Sequence, residues 1–306
     1  MIPQFTAGLA RLKQYRVLYL FLSVGLVWFL VYRYVPMLGN LIAFKEFSLT
    51  KGIFDSRWAN PWYKHFETFF SSPYFVQLLT NTLYISLGKM VFSLSVSILF
   101  AILLSEIRNP SYKKIVQTLI YLPYFLSWIL IYAICYALLT PNGGLLATWL
   151  SQTLGIQTDL LADPGFFPSL IFATDVWQGA GYGAIIFMAA IVGVDPQLHE
   201  AAKIDGANRF QRIQHIILPA IATVFVFVLM TRLGRVLDGG FDHIFNFYNV
   251  RVLNTGDIID TWVYRVGLED LRFSLATAVG LFKGVIGFVL VLICNQVARR
   301  FGRGLW

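Results

Sequence analysis

Six long apolar runs follow one another along the chain, separated by more polar segments. Each run holds about 20 mostly apolar residues, the length that an α-helix needs to cross the hydrocarbon core of a bilayer. No polar segment shows the composition of a separate soluble domain. The pattern therefore predicts an all-α integral membrane protein that forms a single transmembrane domain over residues 1–306. The predicted spans cover about residues 17–35, 83–104, 115–139, 169–194, 219–237 and 274–298.

The first run could be taken for a secretory signal peptide. Its apolar stretch is longer than the roughly 7–15 residues of a signal-peptide core, and no small-x-small cleavage site follows it. We therefore expect a retained helix that ends at Pro36 and Gly39. Residues 37–80, which come next, are rich in Phe, Trp and Tyr, and this density favours a folded cap or an interfacial belt.

Composition supports the membrane interpretation. The chain of 306 residues is 57% hydrophobic and only 13% charged, with a mean hydropathy of +0.66, whereas soluble domains carry about 25% charged residues. The net charge of +8 is not gathered in one arm or stripe, so no nucleic-acid partner is indicated. Cysteine and histidine spacing suggests neither a disulfide nor a metal site, and no nucleophile has a base at a readable spacing. We therefore expect no catalytic residue, metal or cofactor in this chain.

The distribution of Lys and Arg predicts the orientation. Basic residues favour the cytoplasmic side of a membrane, and three of them fall in each of four segments: the two termini, the connection between spans two and three, and the connection between spans four and five. The acidic residues of the longer connections fall on the opposite side. Both termini are therefore predicted to be cytoplasmic. The basic residues on that side are Arg11, Lys13, Arg16, Arg108, Lys113, Lys114, Lys203, Arg209, Arg212, Arg299, Arg300 and Arg303.

The local sequence of the predicted cytoplasmic segment 195–218 indicates two short helices joined at a bend. Asp195 can cap a helix whose first position is Pro196, and Gly206 permits the left-handed conformation that ends it. A second short helix, Arg209–Leu218, then leads into the fifth span. Two short helices meeting at a glycine bend form a compact knob, which suits partner docking or a simple connector.

This segment resembles the signature of permeases of binding-protein-dependent ABC importers: Glu-Ala-Ala, three residues, Gly, nine residues, then Ile-x-Leu-Pro. The matching residues are Glu200, Ala201, Ala202, Gly206, Ile216, Leu218 and Pro219. The resemblance implies a type I ABC importer permease fold, in which this loop carries the coupling helix that inserts into a nucleotide-binding subunit. Glu200, Ala201, Ala202 and Gly206 are then the docking element, and Leu198 and Phe210 are placed to anchor it in a groove.

Residues 121–128, 258–265 and 304–306 resemble the carbohydrate branch of that family, similar to alginate and polygalacturonan permeases. The resemblance implies import of an oligosaccharide, such as an acidic uronate polymer, and leaves a neutral sugar open. It also implies a second permease, expected to be a different chain, two ATPase subunits that bind ATP and Mg, an extracytoplasmic solute-binding protein, and location in the bacterial cytoplasmic (inner) membrane. A stand-alone channel, a secondary transporter and a membrane enzyme are the alternatives from other classes.

Ionisable residues inside the predicted spans are candidates for the translocation path, because each is costly unless it faces a polar cavity or a partner. Arg232 and Arg235 share one helix face, Lys283 lies in the sixth span, and Asp175 is the one clear acid inside a span. We therefore expect these cations to lack a matching internal counter-charge. They either attract an anionic sugar through bidentate hydrogen bonds, or pair with Asp175, helix carbonyls or the companion permease, or reach an interface.

The fourth span also carries side chains that suit sugar handling. Trp177, Gln178 and Tyr182 lie near its outer half. Aromatic rings stack on the C–H faces of sugars, and amides form hydrogen bonds with hydroxyl groups. An aromatic belt at the membrane interface would give the same pattern, so both interpretations stand.

Overall fold

The computed structural model describes residues 14–141, 143–155 and 159–300. Five helices in this part of the chain are long and apolar enough to cross a membrane, and two shorter helices that meet at 100° give a sixth when counted together. In chain order they are span 1 (Arg16–Phe44), span 2 (Phe75–Glu106), span 3 (Pro110–Phe125 with Trp128–Leu139), span 4 (Phe167–Val192), span 5 (Arg209–Leu233) and span 6 (Phe273–Arg300).

The chain divides into two compact units. Among the described residues, the first contains those up to Phe70 together with Val266–Leu281, and the second contains those from Ser71 to Arg265 together with Phe282 to Arg300. Span 6 therefore contributes to both units. Spans 2 to 5 belong wholly to the second unit, which also holds the candidate site.

Span 1, in the first unit, continues past Pro36, where we expected it to end. The α-helix Arg16–Phe29 passes into a π-helical turn, Leu30–Tyr34, then the α-helical segment Val35–Met37 and the 3-10 helix Leu38–Phe44. Pro36 lacks an N–H group, but it lies in the first turn of the α-helical segment that follows the π-helical turn. No N–H donor is needed at that position. No residue of Arg16–Phe29 is buried, so its apolar side chains are available to lipid.

The aromatic-rich segment after span 1 is folded. Lys45 is buried at its centre, and its ammonium group donates hydrogen bonds to the carbonyl oxygens of Ile53 and Phe54 at 2.8 and 2.7 Å. The Ser274 hydroxyl group donates to the carbonyl oxygen of Lys45 at 2.7 Å. The regular elements are strand β1 (Lys45–Glu46), its antiparallel partner β2 (Arg57–Trp58), and the helices Gly52–Asp55 and Lys64–Phe70.

In the second unit, span 4 lies along span 2 and also contacts the first helix of span 3. Glycines make the close approach possible: Gly183 faces the Ser97 side chain, and a Cβ atom at Gly181 would collide with the carbonyl oxygen of Ile120. Small residues at such positions let membrane helices pack closely. The buried apolar cluster between these helices and span 5 is made of Leu94, Ala101, Leu104, Ala184, Phe187, Met188, Ile191, Ile217 and Ile221.

Span 3 is broken, although the sequence shows one apolar run there. The first helix passes into a 3-10 turn, Leu122–Phe125, at Pro123, which has no N–H group to continue the helical pattern. Ser127 then caps the second helix, because its hydroxyl oxygen accepts a hydrogen bond from the Leu130 N–H group at 3.4 Å. The chain consequently turns by 100° within what hydropathy alone presents as a single span.

Short helices fill the remaining connections. Outside the spans they are Leu145–Leu154, Pro196–Ile204, Phe241–Phe247, Leu253–Gly256 and Ile259–Tyr264, with 3-10 turns at Val236–Asp238 and Val250–Val252 and a π-helical turn at Arg265–Glu269. The helices of the long connection after span 5 pack on a second buried cluster in the second unit. Its members are Ile85, Ile131, Leu139, Leu160, Leu161, Phe167, Leu170, Ile171, Ile244, Phe247, Val252 and Ile258.

Candidate functional site

The segment 195–218, hereafter the coupling loop, has the local geometry that the sequence predicts. The Asp195 carboxylate accepts a hydrogen bond from the Gln197 N–H group at 2.9 Å and caps the helix Pro196–Ile204. Gly206 has φ +77 and ends that helix, as expected of a residue without a Cβ atom. The expected second helix does not stop before the fifth span, because a π-helical turn, Ile213–Ile217, joins it to the rest of span 5.

The coupling loop presents apolar side chains to the surroundings. No residue of the helix Pro196–Ile204 is buried. Leu198, Ile204 and Phe210 are 54%, 87% and 71% exposed, so three large apolar side chains of this polar segment are open to the surroundings. Glu200 is exposed, and within the described chain no basic group lies within 4.0 Å of its carboxylate. The sequence pattern did not single out Ile204 as a docking residue. The signal that could have identified it is an apolar side chain between the charged residues Lys203 and Asp205.

A cleft of about 380 Å³ lies where spans 2, 4 and 5 meet the turn after span 5. Its walls bring together several ionisable side chains from distant parts of the sequence. The Lys89 ammonium group lies 3.3 Å from the Asp175 carboxylate, and both side chains are largely buried. We call this the cationic cleft, and its lining residues are Ser86, Lys89, Met90, Asp175, Arg232, Arg235, Val236, Asp238, Gly239 and Gly240.

The two arginines of the cationic cleft lack a close ion-pair partner among the described residues. Within the described ranges, neither Arg232 nor Arg235 has a carboxylate oxygen within 4.0 Å. The cleft holds three basic and two acidic side chains, so its formal charge is +1. The Ser86 hydroxyl group of span 2 also lines the cleft, is buried, and has no hydrogen-bond partner among the residues that the structure describes. The cleft thus offers unsatisfied donors for an anionic group.

Lys283 lies outside the lining of the cleft and is paired. Its ammonium group donates a hydrogen bond to the Asp260 carboxylate and lies 3.0 Å from the Asp238 carboxylate. The expectation that the membrane cations lack a matching internal counter-charge is therefore wrong for Lys283. The charge pattern assigns the acidic connection after span 5, which carries Asp238 and Asp260, to the outer side, and in the second unit this connection folds against span 6. Burial raises the pKa of Asp260, and the Lys283 charge opposes that rise.

The aromatic and amide residues of span 4 lie outside the lining of the cleft. The Gln178 side chain donates a hydrogen bond to the carbonyl oxygen of Leu126 at 3.1 Å, at the break in span 3. The Tyr182 ring stacks on Tyr124 with 3.9 Å between ring centroids. Trp177 is 45% exposed. Two of these three side chains thus hold span 4 to the break, while their role in the substrate path stays a prediction.

His243 is a buried residue that the sequence did not single out beyond its lack of metal-ligand spacing. Its Nε2 atom lies 2.9 Å from the Thr174 hydroxyl oxygen, and its ring stacks on Trp128 with 3.6 Å between centroids. Burial lowers the pKa of His243 well below its ordinary value, and the charge of Lys89 lowers it further. No group of three or more His, Cys, Asp or Glu side chains in the described chain is arranged to hold a metal ion.

Comparison with known proteins places these features in a family. The profile of the family described as "Binding-protein-dependent transport system inner membrane component" matches residues 93–303. The polygalacturonan/rhamnogalacturonan transport system permease protein YteP of Bacillus subtilis (strain 168) is 41% identical over 96% of this chain and 91% of the relative. Protein LplB of the same organism is 38% identical over 98% of this chain and 95% of the relative.

Solved structures agree with the sequence relatives. A chain of a bacterial ABC transporter involved in the import of the acidic polysaccharide alginate matches with a TM-score of 0.88 and 33% identity, over 96% of this chain and 99% of the other. A chain of the alginate transporter in complex with an alginate pentasaccharide-bound periplasmic protein matches with a TM-score of 0.87 and 34% identity, over 96% and 98%. The chain therefore belongs to the family of inner-membrane components of binding-protein-dependent transport systems, as a sugar-permease subunit of an ABC importer.

Proposed function

We propose that this chain is one of two permease subunits of an importer that carries an acidic oligosaccharide across the bacterial cytoplasmic membrane. Relatives named for polygalacturonan and rhamnogalacturonan and for alginate support an acidic polymer as the source of the sugar. The observation that carries the proposal is the pair of arginines, Arg232 and Arg235, that face a membrane cleft without an ion-pair partner among the described residues. Arginine binds carboxylates through paired hydrogen bonds.

The coupling loop docks on a nucleotide-binding ATPase subunit. Leu198, Ile204 and Phe210 supply exposed apolar anchors, and a few anchors that become buried in a partner's pockets give most of the affinity of a protein interface. Glu200 has room to pair with a basic residue of the partner, and the small Ala201 and Ala202 allow a close backbone approach. Gly206 sets the angle between the two helices of the loop.

The cationic cleft forms part of the translocation path. Arg232 and Arg235 attract the uronate carboxylates, while Asp175 holds Lys89 and limits the net positive charge, so that the sugar can leave again. Trp177 offers an exposed ring on which a sugar can stack. Gln178 and Tyr182 act indirectly, because they fix span 4 against the break in span 3.

Both termini are cytoplasmic in this proposal. Arg209 lies 3.9 Å from Glu106, so the basic segments 108–114 and 203–212 lie at the same end of the second unit. Asn81 donates hydrogen bonds to the carbonyl oxygens of Asn254 and Asp257 near the start of span 2, which places the long connection after span 5 at the other end. Basic residues favour the cytoplasmic side, and the coupling loop must face the ATPase.

Transport proceeds by alternating access in a complex with a second permease of different sequence, two ATPase subunits that bind ATP and Mg, and an extracytoplasmic binding protein. ATP binding closes the two ATPase subunits and draws the coupling loops together, and the path then opens outward to receive the sugar. Hydrolysis resets the inward-facing state. Such coupling requires that the docked partner stabilise the two conformations differently.

ATPase activity of the complete reconstituted complex tests this proposal. The binding protein is loaded in turn with oligogalacturonides, alginate oligomers and neutral maltooligosaccharides. Stimulation by uronates alone supports the proposal. Stimulation by neutral sugars keeps the importer and removes the acidic substrate, and failure of the ATPase to assemble with the permeases contradicts the role of the coupling loop. Transport by the purified single chain without ATP would favour a channel or a secondary transporter.

A further inference from the structure

We infer that Lys283 determines the charge selectivity of the cationic cleft without contacting the sugar: it holds Asp238 away from the cleft arginines and so keeps them available to an anionic substrate. This inference rests on the proposed import of an acidic oligosaccharide. It makes Lys283 a positioning residue for substrate specificity and moves it out of the set of side chains that line the path.

Asp238 is the acid closest in sequence to the two arginines. It follows Arg235 by three residues in the turn after span 5, where the Asp238 N–H group donates a hydrogen bond to the carbonyl oxygen of Arg235 at 3.0 Å. Both residues line the cationic cleft. The Asp238 carboxylate nevertheless lies 3.0 Å from the Lys283 ammonium group and more than 4.0 Å from either arginine. Lys283 therefore engages the carboxylate that Arg235 would otherwise attract.

Lys283 is not a free cation, because its environment keeps its ammonium group engaged by acidic side chains. Its side chain is 13% exposed and lies between Asp238 and Asp260, whose side chains are 52% and 18% exposed. One ammonium charge between two carboxylates has no charge left for a substrate. Since an unpaired buried ion is unfavourable, loss of Lys283 affects the two acids differently: burial raises the pKa of Asp260 and so disfavours its charge, whereas the half-exposed Asp238 carboxylate is left free to turn towards the cleft arginines. Asp238 is then the charge that reaches the cleft.

The second acid of the cleft, Asp175, is held in the same way. Lys89 holds Asp175 at 3.3 Å, so each acid of the cleft is engaged by a lysine while Arg232 and Arg235 stay unpaired within the described chain. Lys89 itself lines the cleft, however, and its replacement would also remove a direct contact with substrate. Lys283 lies outside the lining, so its replacement changes the cleft only through the two acids that it holds, of which Asp238 lines the cleft.

The test measures binding of labelled tetragalacturonate and of its uncharged methyl ester by equilibrium dialysis to the purified complex of both permeases and the ATPase subunits, with the sugar-binding protein left out so that its own site does not contribute. Lys283→Met is expected to raise the Kd of the acid about tenfold, or ~1.4 kcal/mol, and to leave the Kd of the ester unchanged. Lys283→Met combined with Asp238→Asn is expected to restore the acid Kd, because the released carboxylate is gone. Lys283→Arg keeps the charge and is expected to behave as the wild type.

Each other outcome has a defined meaning. Equal weakening of acid and ester binding, or no rescue by Asp238→Asn, shows that Lys283 is merely structural and overturns the inference. If Lys283→Met fails to assemble, Asp238→Asn alone decides: the inference predicts unchanged or tighter acid binding, and weaker acid binding contradicts it. A wild-type complex that shows no preference for the acid refutes the proposed substrate class, whereas an acid preference that Lys283→Met leaves intact refutes this inference alone.

Discussion

The amide nitrogen of Gln178 in span 4 lies 3.1 Å from the carbonyl oxygen of Leu126, at the point where span 3 turns by 100°. The break leaves this carbonyl group outside any helical hydrogen-bond pattern, and few other donors are available at such a depth in a membrane protein. A single side chain thus compensates for the backbone irregularity that Pro123 and Ser127 create.

Gln178→Leu is therefore expected to lower the stability of the second unit. The variant leaves a polar group unpaired, at a cost of about 1–3 kcal/mol. Thermal unfolding of the purified complex, followed by tryptophan fluorescence, measures the effect as a lower Tm. Gln152→Leu, at an exposed position of the helix Leu145–Leu154, is the matched control. An equal Tm for the two variants would show that the hydrogen bond is not important.

Gly206→Ala is expected to weaken coupling by strain in the coupling loop. Gly206 has φ +77 with open space around its Cα atom, so the penalty is conformational, about 1–2 kcal/mol, and not steric. Gly193→Ala at the end of span 4 is the control, since Gly193 has an ordinary negative φ and room for a Cβ atom. We expect Gly206→Ala to reduce sugar-stimulated ATP hydrolysis while Gly193→Ala does not. Identical activities would contradict the need for a left-handed residue at this bend.

Ile204→Ser and Phe210→Ala are expected to detach the ATPase. Both side chains are more than two-thirds exposed in the isolated chain, and loss of an interface anchor costs about 2 kcal/mol, or roughly 30-fold in Kd. Co-purification of the ATPase with the tagged permease measures the loss. Val250→Ala, which is 85% exposed on the connection after span 5, should leave co-purification intact. Retention of the ATPase by both loop variants would place the docking surface elsewhere.

Stability is expected to fall as the pH drops below about 6.5. Burial, and then the charge of Lys89, lower the pKa of His243 well below its ordinary value. The unfolded chain therefore takes up a proton that the folded chain excludes, and this histidine alone gives a slope of up to about 1.4 kcal/mol per pH unit between the unfolded and folded pKa values. His243→Phe keeps a ring against Trp128 and should flatten the dependence of Tm on pH between 6.5 and 5.

His215, an exposed residue of the coupling loop, is the control for that experiment. His215→Phe should keep the slope of the wild type. If His243→Phe retains the same slope as well, the acid sensitivity comes from another group.

The parts of the fold that depend on local chemistry can be predicted from the sequence. The membrane character follows from the long apolar runs, and the bend of the coupling loop follows from Asp195, Pro196 and Gly206, whose helix cap and left-handed φ the structure confirms. The docking role of the loop residues and the orientation of the termini stay predictions. The geometry of one chain alone determines neither of them.

The features that depend on long-range packing cannot be predicted from the sequence alone. Hydropathy carries no information on the direction of a helix axis, so the single apolar run from residue 115 to residue 139 does not reveal the 100° turn within it. The partners of Lys283 lie on the long connection after span 5, and only folding brings Asp238 and Asp260 to span 6. The stack of Tyr182 on Tyr124 likewise joins residues of spans 4 and 3 that no pattern along the chain connects.

Uptake into proteoliposomes that contain the complete complex tests the central claim most directly. Labelled tetragalacturonate, added outside with the binding protein and with ATP on the ATPase side, should accumulate, and a neutral tetrasaccharide should not compete with it. Arg232→Gln with Arg235→Gln should abolish the preference for the acid, whereas Arg251→Gln, an exposed arginine outside the cationic cleft, should preserve it. Equal uptake of the acidic and the neutral sugar by the wild type, or a preference that survives the double substitution, would contradict the account of the cationic cleft.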